Sequence, residues 1–230
     1  MPGVLFGLHQ SLGEWVDIFA LLAATPPIEW VAAALGLVSV YLLTRQSLWS
    51  WPIGIAMVAL YAWIFLEAKL YSDFGLQLFF MALQAYGWWF WLARRDQAVA
   101  ASKAPIQTLS PRARIIWFVA GLLGTYGLGF VMSHYTDAAL PYWDALTTVF
   151  SVIAQIMLAR KYIENWLVWI GVDVFAIGIY FYKELTVTSG LYVVFLILSV
   201  IGFITWMRDK DFRARLNKKG PAHADPSSSD

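Results

Sequence analysis

The chain has 230 residues, of which 60% are hydrophobic, 17% aromatic and only 13% charged, and its mean hydropathy is +0.62. A soluble domain carries about 25% charged residues, so a water-exposed globule is excluded and the bilayer is the solvent. The net charge of +1 gives no basis for nucleic-acid binding, and 0 cysteines exclude a disulfide framework, a thiol nucleophile and a Cys-based metal site.

In chain order, residues 1–27 come first, as an N-terminal amphipathic segment. Val4–Ala24 contains His9, Glu14 and Asp17, which are costly against lipid. The segment therefore reads as a helix lying in the interface or packed on the bundle, with an extra span as the alternative. It lacks the basic start of a signal peptide and ends at Thr25-Pro26-Pro27. Seven better spans follow at 28–44, 51–66, 74–93, 115–133, 141–159, 165–182 and 189–207, each near the length a bilayer demands. The one long polar connection, Arg94–Arg114, holds Pro105 and Pro111.

The spans are written twice in the same direction. Trp49, Gly54, Glu67 and Trp89 recur 117 residues later as Trp166, Gly171, Glu184 and Trp206, and an internal repeat fixes architecture. Two three-helix blocks share an orientation only if an odd number of crossings separates them. The expected fold is therefore all-α and integral to the membrane. Residues 28–93 form the first three-helix bundle, 94–133 the linker and bridging helix, 134–207 the second bundle and 208–230 the tail. Of the 16 lysines and arginines, only Lys69 and Lys183 fall on one side of the membrane. That asymmetry places the C-terminus in the cytoplasm. Beyond Lys219 the tail is Pro- and Ser-rich and is expected to be disordered.

Polar groups inside spans are the candidate site, because lipid makes them expensive. Asp73, Gln77, Phe80, Gln84 and Trp91 share one face of the third span, and Asp144, Thr148, Ser151 and Gln155 one face of the fifth. In the sixth span Trp166, Trp169, Asp173 and Tyr180 share a face, with Asp173 near mid-membrane. Helix packing is the competing reading of every stripe, and a proton relay is the second functional reading of Asp173. No lysine or arginine lies in another span to neutralise that carboxylate, which leaves a cationic ligand or a retained proton. An aromatic face one turn away, at Trp169, suits a flat cationic ring. Trp88, Trp89, Trp91 and Trp206 read as interfacial anchors, as does one of Trp49 and Trp51. Pro52 and Gly54 mark either a helix start or a gating kink. His9, His134 and His223 give no metal spacing, and no phosphate loop or nucleophile motif occurs. No cofactor is implied.

The runs Trp49-Ser-Trp51-Pro52-Ile-Gly54, Leu70-Tyr71-Ser-Asp73, Leu76-Gln77-Leu-Phe79-Phe80 and Tyr86-Gly87-Trp88 resemble the Pnu-type vitamin transporters. So do Glu164-Asn165-Trp166-Leu-Val-Trp169, Asp173, Tyr180, Lys183, Leu191-Tyr192 and Gly202-Phe203. The resemblance spans 28–207 and implies a SWEET-like fold, 3+1+3. It also implies facilitated diffusion of nicotinamide riboside across a bacterial inner membrane, trapping by a cytoplasmic ribosylnicotinamide kinase, and a homotrimer. Thiamine and riboflavin are the alternative cargoes within the family, and a structural or sensory membrane protein is the alternative outside it. On this reading Trp169 and Tyr180 stack on the ring, Asp173 balances its charge, and Gln77 and Asp144 bind amide or hydroxyls. Trp51, Asp73, Gln84 and Tyr192 complete the expected site, with Pro52 and Gly54 at the gate. In the repeat as read here, Ala56 stands where the second copy has Asp173.

Overall fold

The computed structural model describes residues 26–67, 69, 71–94, 106–183 and 186–219. The expected N-terminal helix within 4–24, Glu184 and most of the inter-repeat linker lie outside those residues. Seven helices are described: α1 (Pro27–Thr44), α2 (Ser50–Glu67), α3 (Tyr71–Ala93), α4 (Pro111–Tyr135), α5 (Pro141–Ala159), α6 (Glu164–Tyr182) and α7 (Thr186–Lys219). Among the described residues, six are long and apolar enough to cross a membrane. The other is α3, whose 23 residues are long enough but include Asp73, Gln77 and Gln84.

Helix starts follow local chemistry. A proline opens α1, α4 and α5, where its missing N–H costs nothing. At α4 the Ser110 hydroxyl also accepts from the Ala113 N–H, a capping bond. Pro52 lies in the first turn of α2, the position of a helix start.

Neighbouring helices pack within α1–α2–α3 and within α5–α6–α7. Helix α4 packs on α5, and the halves meet along two seams, α1 against α7 and α3 against α5. Exchanging α1 with α5 and α3 with α7 turns one seam into the other. We propose two three-helix blocks separated by α4 as the simplest account of these contacts.

The repeat is in register at 115 residues, Trp51 to Trp166, and not at 117. The Trp51 ring lies on Gly87 and the Trp166 ring on Gly202. Ser50 and Asn165 each bond the carbonyl three residues back, of Ser47 and Tyr162. Gln46 and Lys161 both take positive φ, 54° and 59°, in the turns between helices. In this register Asp173 is matched by Val58, not Ala56. The 117 spacing was carried by Trp49 and Trp89, which are 72% and 63% exposed and act as anchors; the packing is carried by the buried Trp51 and Trp91.

Trp91 and Trp206 are likewise core residues and not interfacial anchors. Their indole N–H groups donate across the two seams, Trp91 to the Ala159 carbonyl at 3.0 Å and Trp206 to that of Leu43 at 3.1 Å. With Trp51 and Trp166 they form an edge-to-face cluster at the end of the bundle where α1, α3 and α5 terminate. This end carries Arg45, Arg94, Arg160 and Lys161 and is called the basic end below.

The end of the linker is docked. Gln107 pairs with the α5–α6 turn through Gln107 N–H to Lys161 O and Ile163 N–H to Gln107 O. Glu164 accepts from the Leu109 N–H at 3.1 Å and pairs with Arg114 at 2.8 Å. This strap ties the start of α4 to the second block. Lys210 reaches Thr108 from the extension of α7, so the first part of the expected tail is a continuous helix resting on the strap.

Candidate functional site

The α6–α7 seam is layered, with the α6 members Trp166, Asp173 and Tyr180 at seven-residue intervals. Nearest the basic end, Trp166 packs on Gly202. One heptad along, Ser199 Oγ donates to Asp173 Oδ2 at 2.9 Å, with both residues buried. Another heptad along, Tyr180 and Tyr192 stack with centroids 5.1 Å apart and planes at 25°. At 115 residues' separation the matching positions of the first block are Trp51 and Gly87, whose ring and glycine meet, then Val58 and Gln84, then Phe65 and Gln77. The carboxylate and the tyrosine pair therefore belong to the second block only.

The first block supplies the facing wall. Phe195 meets Tyr192 edge-on at 5.9 Å, and a Cβ built on Gly36 of α1 would stand 3.7 Å from the Phe195 ring and 2.9 Å from Met57 Sδ. The aromatic stack is thus linked through Phe195 to the face where α7 meets the first block. Asp173 is only 2% exposed, and among the described residues no cationic side chain forms an ion pair with it. The arrangement offers a buried carboxylate beside aromatic faces, which in its charged form is the chemistry that holds a flat organic cation.

The other predicted residues fall in several places. Trp169 is half-buried one turn from Asp173, and Gln77 is half-buried on α3. Asp73 is exposed in the first turn of α3. Asp144 is engaged at the end opposite the basic one, where Lys183 Nζ reaches its two oxygens at 2.9 and 3.1 Å. Trp51 is fully buried and faces Gly87 instead of a cavity. Gln84 is buried with its amide lying on Gly54; it fills the α2–α3 seam, and Gly54 is glycine because that amide leaves no room for a Cβ. Pro52 and Gly54 both lie in the first turns of α2, which runs from Ser50 to Glu67.

Ser199 was missed. Its signal was present, since Tyr192, Phe195, Ser199, Gly202 and Trp206 advance by three, four, three and four and form one helical face.

Closure at the basic end crosses the blocks. Lys161 Nζ donates to Gln46 Oε1 at 3.1 Å and sits 4.1 Å from the Trp91 ring centroid, while Gln46 Nε2 donates to Asp209 at 2.8 Å. Beside this chain a cavity of about 460 Å³ is lined by Tyr41, Thr44, Arg45, Gln46, Thr205 and Asp209. None of these was among the predicted site residues.

Residues 26–208 match the family model described as nicotinamide mononucleotide transporter. The chain is 28% identical over 214 residues to the nicotinamide riboside transporter PnuC of Escherichia coli (strain K12), covering 81% of this chain and 89% of that protein. It is 26% identical over 198 residues to the riboflavin/roseoflavin transporter RibM of Streptomyces davaonensis, covering 84% and 92%. The crystal structure of the vitamin B3 transporter PnuC superposes with a TM-score of 0.69 at 24% identity, over 89% of this chain and 90% of that one, a likeness of fold. With the family match running from the start of α1 into the last helix, the chain belongs to the nicotinamide mononucleotide transporter family.

Proposed function

We propose that this chain carries nicotinamide riboside across a bacterial inner membrane by facilitated diffusion, with its C-terminus in the cytoplasm. The observation that carries the reading is Asp173, a buried mid-helix carboxylate with a hydroxyl for a partner and, among the described residues, no ion pair. A group so expensive in a membrane calls for a use, and the pyridinium of nicotinamide riboside is a permanent, flat cation. The tyrosine stack beside it suits the ring, and Trp169 offers a further aromatic face one turn away. Riboflavin, the cargo in the name of one relative, has a neutral ring system that gives the carboxylate nothing to balance. In the present arrangement Tyr180 and Tyr192 face each other at 5.1 Å. A ring inserted between them needs about two van der Waals contact distances of roughly 3.5 Å each, so loading requires the pair to part. Net uptake then depends on a cytoplasmic kinase that phosphorylates the riboside and removes it from the equilibrium.

Purified protein in liposomes is expected to equilibrate nicotinamide riboside with no proton or sodium gradient. Gradient-driven accumulation above the outside concentration, in the absence of a kinase, would rule the passive reading out. Orientation is open to a separate test, made simple by the 0 native cysteines. In intact cells, single cysteines at Ser72 or Thr136 are expected to react with an impermeant reagent and one at Ser102 to stay unlabelled. Labelling at Ser102 would reverse the topology.

A further inference from the structure

We propose that Ser199 is a positioning residue that sets the preference of the site for a cationic over a neutral ring, acting through Asp173. This rests on the reading of Asp173 given under Proposed function.

Ser199 differs from the other helical hydroxyls in its acceptor: Ser39 and Ser189 also donate across a helix seam, but to the backbone carbonyls of Ser50 and Ile177, whereas Ser199 donates to a carboxylate. Ser133 donates to the Phe130 carbonyl, Thr44 to that of Tyr41, Thr136 to that of Met132 and Thr147 to that of Asp144. All four satisfy themselves on their own helix, the usual habit of helical serine and threonine. Ser199 spends its single proton across the seam, on Asp173 Oδ2 at 2.9 Å. It is only 4% exposed.

The repeat isolates the same pair. At 115 residues' separation the mate of Ser199 is Gln84, whose amide rests on Gly54, and the mate of Asp173 is Val58. The hydroxyl and the carboxylate thus occur together in one block and are both missing from the other. Two helices built on one plan differ here by a donor and its acceptor.

The consequence is orientational and electrostatic together. An aspartate carboxylate turns about two bonds, Cα–Cβ and Cβ–Cγ, and holding one oxygen restricts both, so the hydroxyl aims Asp173 before a ligand arrives. The bond also favours the charged form over the neutral one. Removing the hydroxyl acts on the part of binding that depends on charge and leaves the stacking of the ring unchanged.

The experiment compares two ligands of nearly the same shape, nicotinamide riboside and its uncharged dihydro form, binding to the purified full-length protein. Wild type is expected to prefer the cation. Ser199→Ala is expected to lower that preference about tenfold, the worth of one hydrogen bond to a charged group, with binding of the neutral form nearly unchanged. Ser199→Thr keeps the hydroxyl and is expected to restore most of the preference. In an Asp173→Asn background, Ser199→Ala is expected to have no further effect on the ratio, which places the two residues in one thermodynamic unit. Equal loss for both ligands, or no rescue by threonine, would make Ser199 a packing residue and overturn the proposal while leaving Asp173 in place. A wild-type protein with no preference for the cation would instead overturn the charge reading of Asp173, and this proposal with it.

Discussion

Asp173→Asn is expected to leave the fold intact and weaken nicotinamide riboside binding by roughly 30- to 150-fold, corresponding to about 2–3 kcal/mol for a buried charge that loses its counterpart. Asparagine has the shape of aspartate, and its amide oxygen still accepts from Ser199, so the 2.9 Å contact between α6 and α7 survives. Only the charge is gone. The effect is large because the carboxylate is buried: Asp173 is 2% exposed, and at low dielectric little screens the pyridinium from it. Trp169→Ala removes an aromatic face and no charge, and is expected to cost about 1–2 kcal/mol, close to tenfold in affinity. Calorimetric titration of both variants with the riboside measures the two numbers. Unchanged affinity in both, with melting temperatures like wild type, would move the site elsewhere and leave Asp173 and Trp169 as packing residues.

Much of the fold was legible because the membrane reduces the alternatives. Each helix must be long and apolar, and the first six spans read from hydropathy fall within four residues of α1 to α6, while α7 runs twelve residues past the expected end at 207. The existence of a repeat was legible too, but its register was not. Tryptophan does two jobs in this chain, and its identity does not say which. Trp49 and Trp89 face outward, while Trp51, Trp91, Trp166 and Trp206 build the core of the basic end. Only glycine partners tell them apart: Trp51 requires Gly87 and Trp166 requires Gly202, both pairs separated by 36 residues in the sequence.

The site was legible in part for the same kind of reason. Asp173 stood out by cost alone, which needs no knowledge of neighbours. Gln84 and Trp51 shared the polar and aromatic character of a site, yet the structure seats both in the α2–α3 seam, because burial between two helices and burial against a ligand favour similar residues. Asp144 carried no visible partner in its own span, and Lys183, which neutralises it, comes from the far end of α6. The strap was hidden differently. Leu109, Glu164 and Arg114 lie on three segments, and nothing local announces that a linker rich in alanine docks on a turn.

The packing at the basic end makes a second large effect expected, on stability instead of binding. Gly87→Ala should be strongly destabilising, since the added Cβ falls inside the Trp51 ring. That ring is fully buried and held edge-to-face against Trp91 at 5.2 Å, so it has nowhere to retreat. Forcing an extra methyl into such a contact costs about 1–3 kcal/mol and sometimes more. Gly202→Ala, where the Cβ would stand 2.6 Å from the Trp166 ring, is its repeat partner and should cost a similar amount. Gly171 and Gly178 provide the contrast, as a Cβ at either meets nothing within 4 Å. There alanine should be neutral or stabilising by up to about 1 kcal/mol, the helix-propensity difference between the two residues. Thermal unfolding in detergent should therefore rank Gly171→Ala and Gly178→Ala at or above wild type and both tryptophan-facing variants well below it. If Gly87→Ala and Gly202→Ala melt with wild type, the tryptophan–glycine layers are not what joins α2 to α3 and α6 to α7, and the 115-residue register loses its physical basis.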